Sequence, residues 1–400
     1  MVLFLHNRYR TTGGEERVIE ELLWLVREHL GEPAELLASD SVDLGRARAA
    51  VGLLRGGWNP EGVARAVRDG GVRVVHAHNL NPAYGWRALA AARAAGARVV
   101  LHLHQYRLVC AVGVCFTGGA ECTRCHGRNT LPGALRNCRG SRSEAAVYAA
   151  SLALWQRRLV EQADAVIVPS AFARERLRAL GAPLDWGRVH VLPPPVRMAT
   201  VVPSVTGAVE GSGVTGDARA TNVGTPDAYA LVVSRLSAEK GVDVAVDACR
   251  IAGVPLVVAG DGPEAAALRE RAGDGAVRFV GRVEGDALAG LRAGAAIALV
   301  PSRSAETFGL AAAEAMAVGV PVVGSDVGAL GELLEPDALV PAGDAHALAD
   351  AITRVGKQEG AGARGRARVS ALCAPEVVAG VLGTIYDEAA DRRESPLRST

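Results

Sequence analysis

Residues 295–316 read as a strand, a polar turn and a helix in immediate succession, and this unit restricts the fold more than any other part of the chain. The run Ala295-Ala296-Ile297-Ala298-Leu299-Val300 is apolar without alternation, the pattern of a strand buried on both faces of a parallel sheet. Strong helix formers begin at Phe308 and stop at Gly319 and Pro321. A helix that starts just past a strand end leaves unpaired N–H groups and the positive end of its dipole at the turn, which makes an anion site. Glu306 lies in that turn and Glu314 two helical turns on, roughly 12 Å apart at about 1.5 Å per residue. Carboxylates acting across one glycosidic bond stand about 5–9.5 Å apart, so this pair suits two contacts to one long ligand instead.

Similar units recur on both sides of a composition break. Apolar runs at 2–5, 72–79, 98–107, 163–170 and 189–195 precede it, and runs at 228–241, 256–264, 277–281 and 322–329 follow it. Helices are expected at 17–29, 86–95 and 143–160, and after Ser170, which caps the last of these. Residues 197–227 are rich in Gly, Val, Thr, Ser and Pro and carry no periodicity, so they read as a flexible linker or insertion. The expected organisation is α/β: two doubly wound Rossmann-like domains, 1–196 and 228–374, with 375–400 forming a terminal helix and tail. Four hundred residues suffice for two sizeable cores.

Composition narrows the partners. A formal net charge of +1 gives no electrostatic reason to expect nucleic acid. No apolar run is read as reaching the ~18 residues of a membrane span, and the first residues lack a basic, cleavable leader, so a cytoplasmic location is expected. Five of the seven cysteines fall between Cys110 and Cys138, and in a reducing compartment such crowding favours metal over disulfide. Cys110, Cys122, Cys125 and Cys138 match a four-thiolate zinc site, with Cys115 spare and His126 able to replace one thiol. A closed site of that kind is structural. Cys249 and Cys373 read as core residues. No Asp-x-Asp is present in the chain, so no catalytic metal is expected.

The segment from Glu306 through Phe308-Gly309-Leu310 to Glu314 resembles the signature of the family-four retaining glycosyltransferases. The resemblance implies the GT-B fold, with two Rossmann-like domains facing a cleft. It places Glu306 on the donor sugar, Glu314 on the nucleotide ribose, and the Phe308, Gly309 and Leu310 amides on sugar hydroxyls and phosphate. Ser234-Arg235-Leu236 with Lys240-Gly241 is similar to the family's diphosphate signature, and Arg and Lys at a strand-end turn suit that charge. Gly13 and Gly14 resemble its phosphate-touching glycine loop. Gly260 and Gly262 resemble its Gly-x-Gly turn, where the backbone approaches the nucleotide, and the strand end at Val280 lies where the base is held. His104 resembles the family's strand-end histidine that reaches the sugar, and is preferred to His76, His78 and His102. The cysteine insertion, 110–142, is similar to one in a subset of the family.

The implied activity is transfer of a hexosyl group from a nucleotide diphosphate sugar, UDP- or GDP-linked, to a hydroxyl of a saccharide, a lipid-linked sugar or a small metabolite. Peripheral membrane contact is compatible with it. Arg235, Lys240, Glu306 and His104 would carry the chemistry, and no general base emerges. Two other classes stand beside it: a nucleotide-sugar 2-epimerase of the same fold, and a zinc-knuckle nucleic-acid-binding protein.

Overall fold

The computed structural model describes residues 1–9, 13–198 and 228–391. The expected linker therefore lies outside the described residues except for Arg197 and Met198, and so does the tail from 392 onward.

Two six-stranded sheets carry the chain. The first takes β1 (Val2–Arg8), β2 (Ala34–Asp40), β3 (Val74–Ala77) and β4 (Arg98–His102). A two-stranded hairpin, β5 (Phe116–Thr117) and β6 (Ala120–Glu121), interrupts before β7 (Ala165–Val168) and β8 (Val189–Val191) complete it. Its order is β2-β1-β3-β4-β7-β8, and each of its neighbouring pairs is parallel. The second sheet is built from β9 (Ala230–Val233), β10 (Leu256–Ala259), β11 (Val277–Gly281), β12 (Ile297–Val300), β13 (Val322–Ser325) and β14 (Leu339–Val340). It is also parallel, ordered β11-β10-β9-β12-β13-β14.

The strand interiors are largely apolar because helices cover both faces of each sheet, with His6, Asn7, His76 and His102 as buried polar exceptions in the first. One core encloses the second sheet, and two more lie on the two faces of the first. The helix Pro375–Asp391 follows the second half in sequence but packs on the first: Val378, Leu382, Ile385 and Tyr386 join Phe4 and Val100 in one core. This explains a stretch that departs from the expectation of no span-like segment. Ala361–Ala389 is long and apolar enough to cross a membrane, with a mean hydropathy of 1.6. Val369 and Cys373 go into the second half's core and Val378, Leu382 and Ile385 into the first's, and the helix breaks between Cys373 and Pro375.

Several expected boundaries move. The strand expected at 98–107 ends at His102, and Tyr106–Leu108 is a short 3₁₀ turn. Cys249 and Cys373 are buried core residues as expected, and burial pushes both thiols up to about 12. Ser170 caps the helix Ala171–Ala179 through its hydroxyl, which accepts from the Ala173 amide at 2.9 Å.

Candidate functional site

In a doubly wound sheet a crevice opens at the carboxyl ends of two adjacent strands whose connections leave in opposite directions. In the second sheet these are β9 and β12. The turn after β9 holds Arg235 and Lys240, and the turn after β12 holds Ser302 and Glu306. The Lys240 ammonium stands 2.6 Å from the Glu306 carboxylate, and the Ser302 hydroxyl donates to the same oxygen at 2.5 Å. Burial alone would push the Glu306 carboxyl up, but Lys240 and Ser302 outweigh it and hold the group below the usual glutamate range. Arg235 pairs with Glu239, and Ser237 braces both, accepting from Arg235 Nε at 3.2 Å and donating to Glu239 at 2.7 Å. Both cations are thereby aimed by a carboxylate while keeping exposed surface for a ligand.

The helix after Glu306 runs Leu310–Ala317, with Gly309 as its N-cap and no side-chain cap on its first turn. The 12 Å separation assumes helical rise over the whole Glu306–Glu314 interval, and the helix supplies that rise only from Leu310 onward. A second helix N-terminus faces this one. The first helix is Gly14–Glu28, three residues earlier than its expected start, because Glu16 folds back to accept from the Gly13 amide at 2.8 Å and the Tyr9 amide at 3.3 Å. The glycine pair is thus the mouth of a helix. A methyl group on Gly14 would lie 3.6 Å from Leu310 Cδ2, so the two helices open toward one cleft.

Glu314 is not free to face a ligand alone. It pairs with Arg292 and, across the cleft, with Arg17 at 3.5 Å. Burial nevertheless pushes its carboxyl up, and burial draws the Arg292 guanidinium down. Gly260 and Gly262 permit a close approach within the chain. A Cβ on Gly260 would sit 1.8 Å from the Ser234 carbonyl oxygen, and one on Gly262 would sit 2.3 Å from that of Leu236. The close approach they permit is to the chain's own Arg235 turn, which they support. Val280 is half-buried in edge strand β11, and the next residue, Gly281, accepts from the Gly260 amide at 2.7 Å.

The first sheet contributes a column of imidazoles. Register sets Phe4 beside His76 and His76 beside Val100, and alternation carries His78 and His102 onto the same face. His102 and His104 stack with centroids 4.1 Å apart. His78 Nδ1 lies 2.8 Å from His104 Nε2, and His76 Nε2 lies 3.2 Å from His102 Nδ1. Burial holds all four down, His76 to about 3. Only His104 reaches the other half of the molecule: its carbonyl accepts from the Thr307 hydroxyl at 3.0 Å, and the Thr307 carbonyl accepts from Ser170 at 2.7 Å. The His104 backbone thus meets Thr307, the residue next to Glu306. Glu332 joins the halves as well, taking the Ala171 amide at 3.1 Å and the Phe172 amide.

All five clustered cysteines line one pocket, closed by Phe116, Pro132 and Gly133. Cys115, expected to be spare, lines it with the other four and hydrogen-bonds the Cys110 thiol. That bond and three backbone N–H groups bring Cys110 down to about 6 against its burial, while the same bond pushes Cys115 up. His126 packs its ring on Gly181, away from the residues that line the pocket. Among the described residues the group of ligand atoms drawn within 4.8 Å of one another is His76, His78 and His102, not a set of thiols.

Sequence reasoning missed Arg17, Glu239, Arg292, Ser302 and Thr307. Ser302 and Thr307 flank Glu306 and were within reach of a reading of that turn; the other three are single charges on helices and turns with no local signal.

Two family models match the chain. One, described as "Glycosyl transferase 4-like domain", matches residues 12–195, and the other, "Glycosyl transferases group 1", matches 227–358. A Mycobacterium tuberculosis protein named GDP-mannose-dependent alpha-(1-6)-phosphatidylinositol dimannoside mannosyltransferase is 39% identical over 157 residues, covering 36% of this chain. The match spans 41% of that relative's length. Among solved structures, sucrose-phosphate synthase from Thermosynechococcus elongatus aligns over 98% of this chain and 99% of its own, with a TM-score of 0.67 and 21% identity. Anabaena HepE in complex with UDP-glucose aligns over 99% of both chains, with a TM-score of 0.58 and 17% identity. With two parallel-sheet domains of this order, the fold is GT-B.

Proposed function

We propose that this chain, which belongs to the family-four glycosyltransferases, is a retaining hexosyltransferase that takes its sugar from a nucleotide diphosphate and gives it to a hydroxyl acceptor. The observation that carries the reading is the convergence on one cleft of two helix N-termini, at Gly14 and Leu310, beside the Arg235–Lys240 turn, with Glu306 and His104 alongside. Such a set of donors and cations stabilises a departing diphosphate where its charge develops, without needing a metal. Glu306, kept ionised by Lys240, accepts from sugar hydroxyls, and His104 orients another. Glu314 takes the ribose, sharing it with its arginine partners. Phe308, Gly309 and Leu310 offer amides, and the Gly260–Gly262 turn and Val280 frame the nucleotide.

The acceptor hydroxyl attacks on the face that the diphosphate leaves. Its oxygen bonds to the anomeric carbon as the carbon–oxygen bond to phosphate breaks, and its proton passes to the departing phosphate oxygen. Names of relatives support both GDP and UDP as the nucleotide. The name of the mycobacterial relative supports a lipid-linked sugar among the three acceptor classes, and with it peripheral membrane contact. A cytoplasmic setting suits seven cysteines with no disulfide among them. The epimerase and nucleic-acid readings are not favoured by these relatives.

Release of UDP or GDP that depends on added acceptor, with NMR showing the donor's anomeric configuration retained in the product, is the expected result. An inverted product, or a 2-epimer formed without acceptor, would overturn the reading. We further place a structural zinc on Cys110, Cys122, Cys125 and Cys138, as in a subset of the family. One zinc per chain by elemental analysis, lost in Cys125→Ser, is expected; a metal-free protein with an unchanged melt would refute it.

A further inference from the structure

The proposed chemistry uses His104 and leaves its buried neighbours without a task. His78 is 3% exposed, and its ring lies nearly parallel to that of His104, at 17°, edge to edge with centroids 5.1 Å apart. Its Nδ1 meets His104 Nε2 at 2.8 Å, while its own Nε2 is buried with no hydrogen-bond partner. Both rings are neutral in this environment, because burial penalises the imidazolium. One proton therefore lies between them, and its direction has consequences at both ends. If His104 donated, His78 would carry its proton on Nε2 as an N–H buried with no acceptor. If His78 donates, Nε2 is left as a bare lone pair. A buried orphan N–H is the rarer of the two in folded proteins.

We infer that His78 is a positioning residue, which donates Nδ1–H to His104 Nε2 and so fixes His104 as the tautomer with its proton on Nδ1. With Nε2 occupied, Nδ1 is the nitrogen left for a ligand, and His104 meets it as a hydrogen-bond donor. A donor suits a sugar hydroxyl oxygen or a developing negative charge. The rest of the column serves the same end. His102 stacks on His104 and also lies 5.3 Å from His78, centroid to centroid, and His76 is tied to His102 and, through Nδ1, to the Tyr386 hydroxyl at 2.8 Å. The His104 ring is thus held by His78 and His102, and His102 in turn by His76 and, through it, Tyr386 of the terminal helix. The consequence for turnover rests on the proposed function; the tautomer does not.

The test is long-range ¹H–¹⁵N NMR of the full chain labelled at histidine, with His104 assigned from a His104→Ala spectrum. The expected result is protonated Nδ1 and bare Nε2 at His104, with the pattern moving toward Nε2–H in His78→Phe, which keeps an aromatic ring but has no donor. His78→Asn, whose amide donates, should restore the wild-type pattern, and with it kcat, which should fall about tenfold in the Phe variant at nearly constant donor KM. An Nε2–H pattern in the wild type, or one indifferent to His78→Phe, would overturn the inference. So would a transition metal held at one per chain and lost in His102→Ala but not in Cys125→Ser, since His76, His78 and His102 would then be its ligands. A protein with the expected tautomer but no transfer activity would count against the proposed function alone.

Discussion

The two halves share a layered plan but make opposite use of the crevice where strand order reverses. In the first sheet that crevice lies between β1 and β3, and in the second between β9 and β12. The second crevice is lined by short-range pairs of opposite charge: Arg235 with Glu239, and Lys240 with Glu306. The first is lined by neutral imidazoles and by Glu15, which accepts from the Tyr9 hydroxyl at 2.7 Å and the Asn79 amide at 3.1 Å. One crevice is built on pairs of opposite charge, the other on a column of imidazoles beside a carboxylate. That division suits a cleft in which a diphosphate departs from one wall and a sugar is held against the other.

The terminal helix crosses from one half to the other, so the first prediction separates their stabilities. Leu382 is fully buried in the first half's core, and Leu382→Ala should cost about 2.7–5.0 kcal/mol. Unfolding followed by a probe in each half should show the first half giving way ahead of the second; coincident, unshifted transitions would refute the helix's bracing role. Next is Lys240→Ala, which removes a donor aimed at developing charge and should lower kcat by about 10²–10³, while leaving the melt of the first half unchanged. Steady-state kinetics on a folded variant would show this, and a kcat within twofold of wild type would remove Lys240 from the chemistry.

The two motif glutamates differ in a way that pH exposes. Glu306 should titrate below 4.5 and Glu314 above it, as read from ¹³C carboxyl shifts with Gln variants for assignment. The stability contributed by Glu306 is full above the unfolded value and is lost as pH falls through its lowered folded value. Glu314 works in the other sense: its ionised form costs stability above its raised folded value, and that cost is relieved as pH falls toward 4.5. Shifts of the same sign for both would contradict the pairing described. The smallest effect is expected from Arg17→Ala, about 0.2–1 kcal/mol, since the Arg17 side chain is 48% exposed where it crosses to Glu314. A double-mutant cycle with Glu314→Gln would measure it.

The second crevice was more legible in the sequence than the first. Arg235, Lys240, Glu306 and Glu314 each sit within a few residues of an apolar strand or a helix start, and local pattern is enough to place such residues. The layered α/β order was legible for the same reason. His104 could be preferred only by resemblance. The contact that ties its backbone to the other half, the Thr307 hydroxyl, lies 203 residues away in sequence. Arg17 and Arg292 were illegible because their meaning lies in Glu314, which periodicity does not connect to either. Gly260 and Gly262 were legible as a constrained turn, but the backbone they approach is the Arg235 turn. The role of Cys115 was hidden because spacing counts thiols without showing which of them share a pocket.

The central claim is that the second crevice, with the helix N-terminus of the first half, holds a nucleoside diphosphate. Thermal melting with UDP, GDP, ADP and dTDP, on the wild type and on Arg235→Ala, tests it most directly. A nucleotide at one hundred times its dissociation constant should add about 2.7 kcal/mol. The account predicts that UDP or GDP raises the wild-type melt and that Arg235→Ala loses most of the rise. No shift with any of the four in a folded wild-type sample would contradict it.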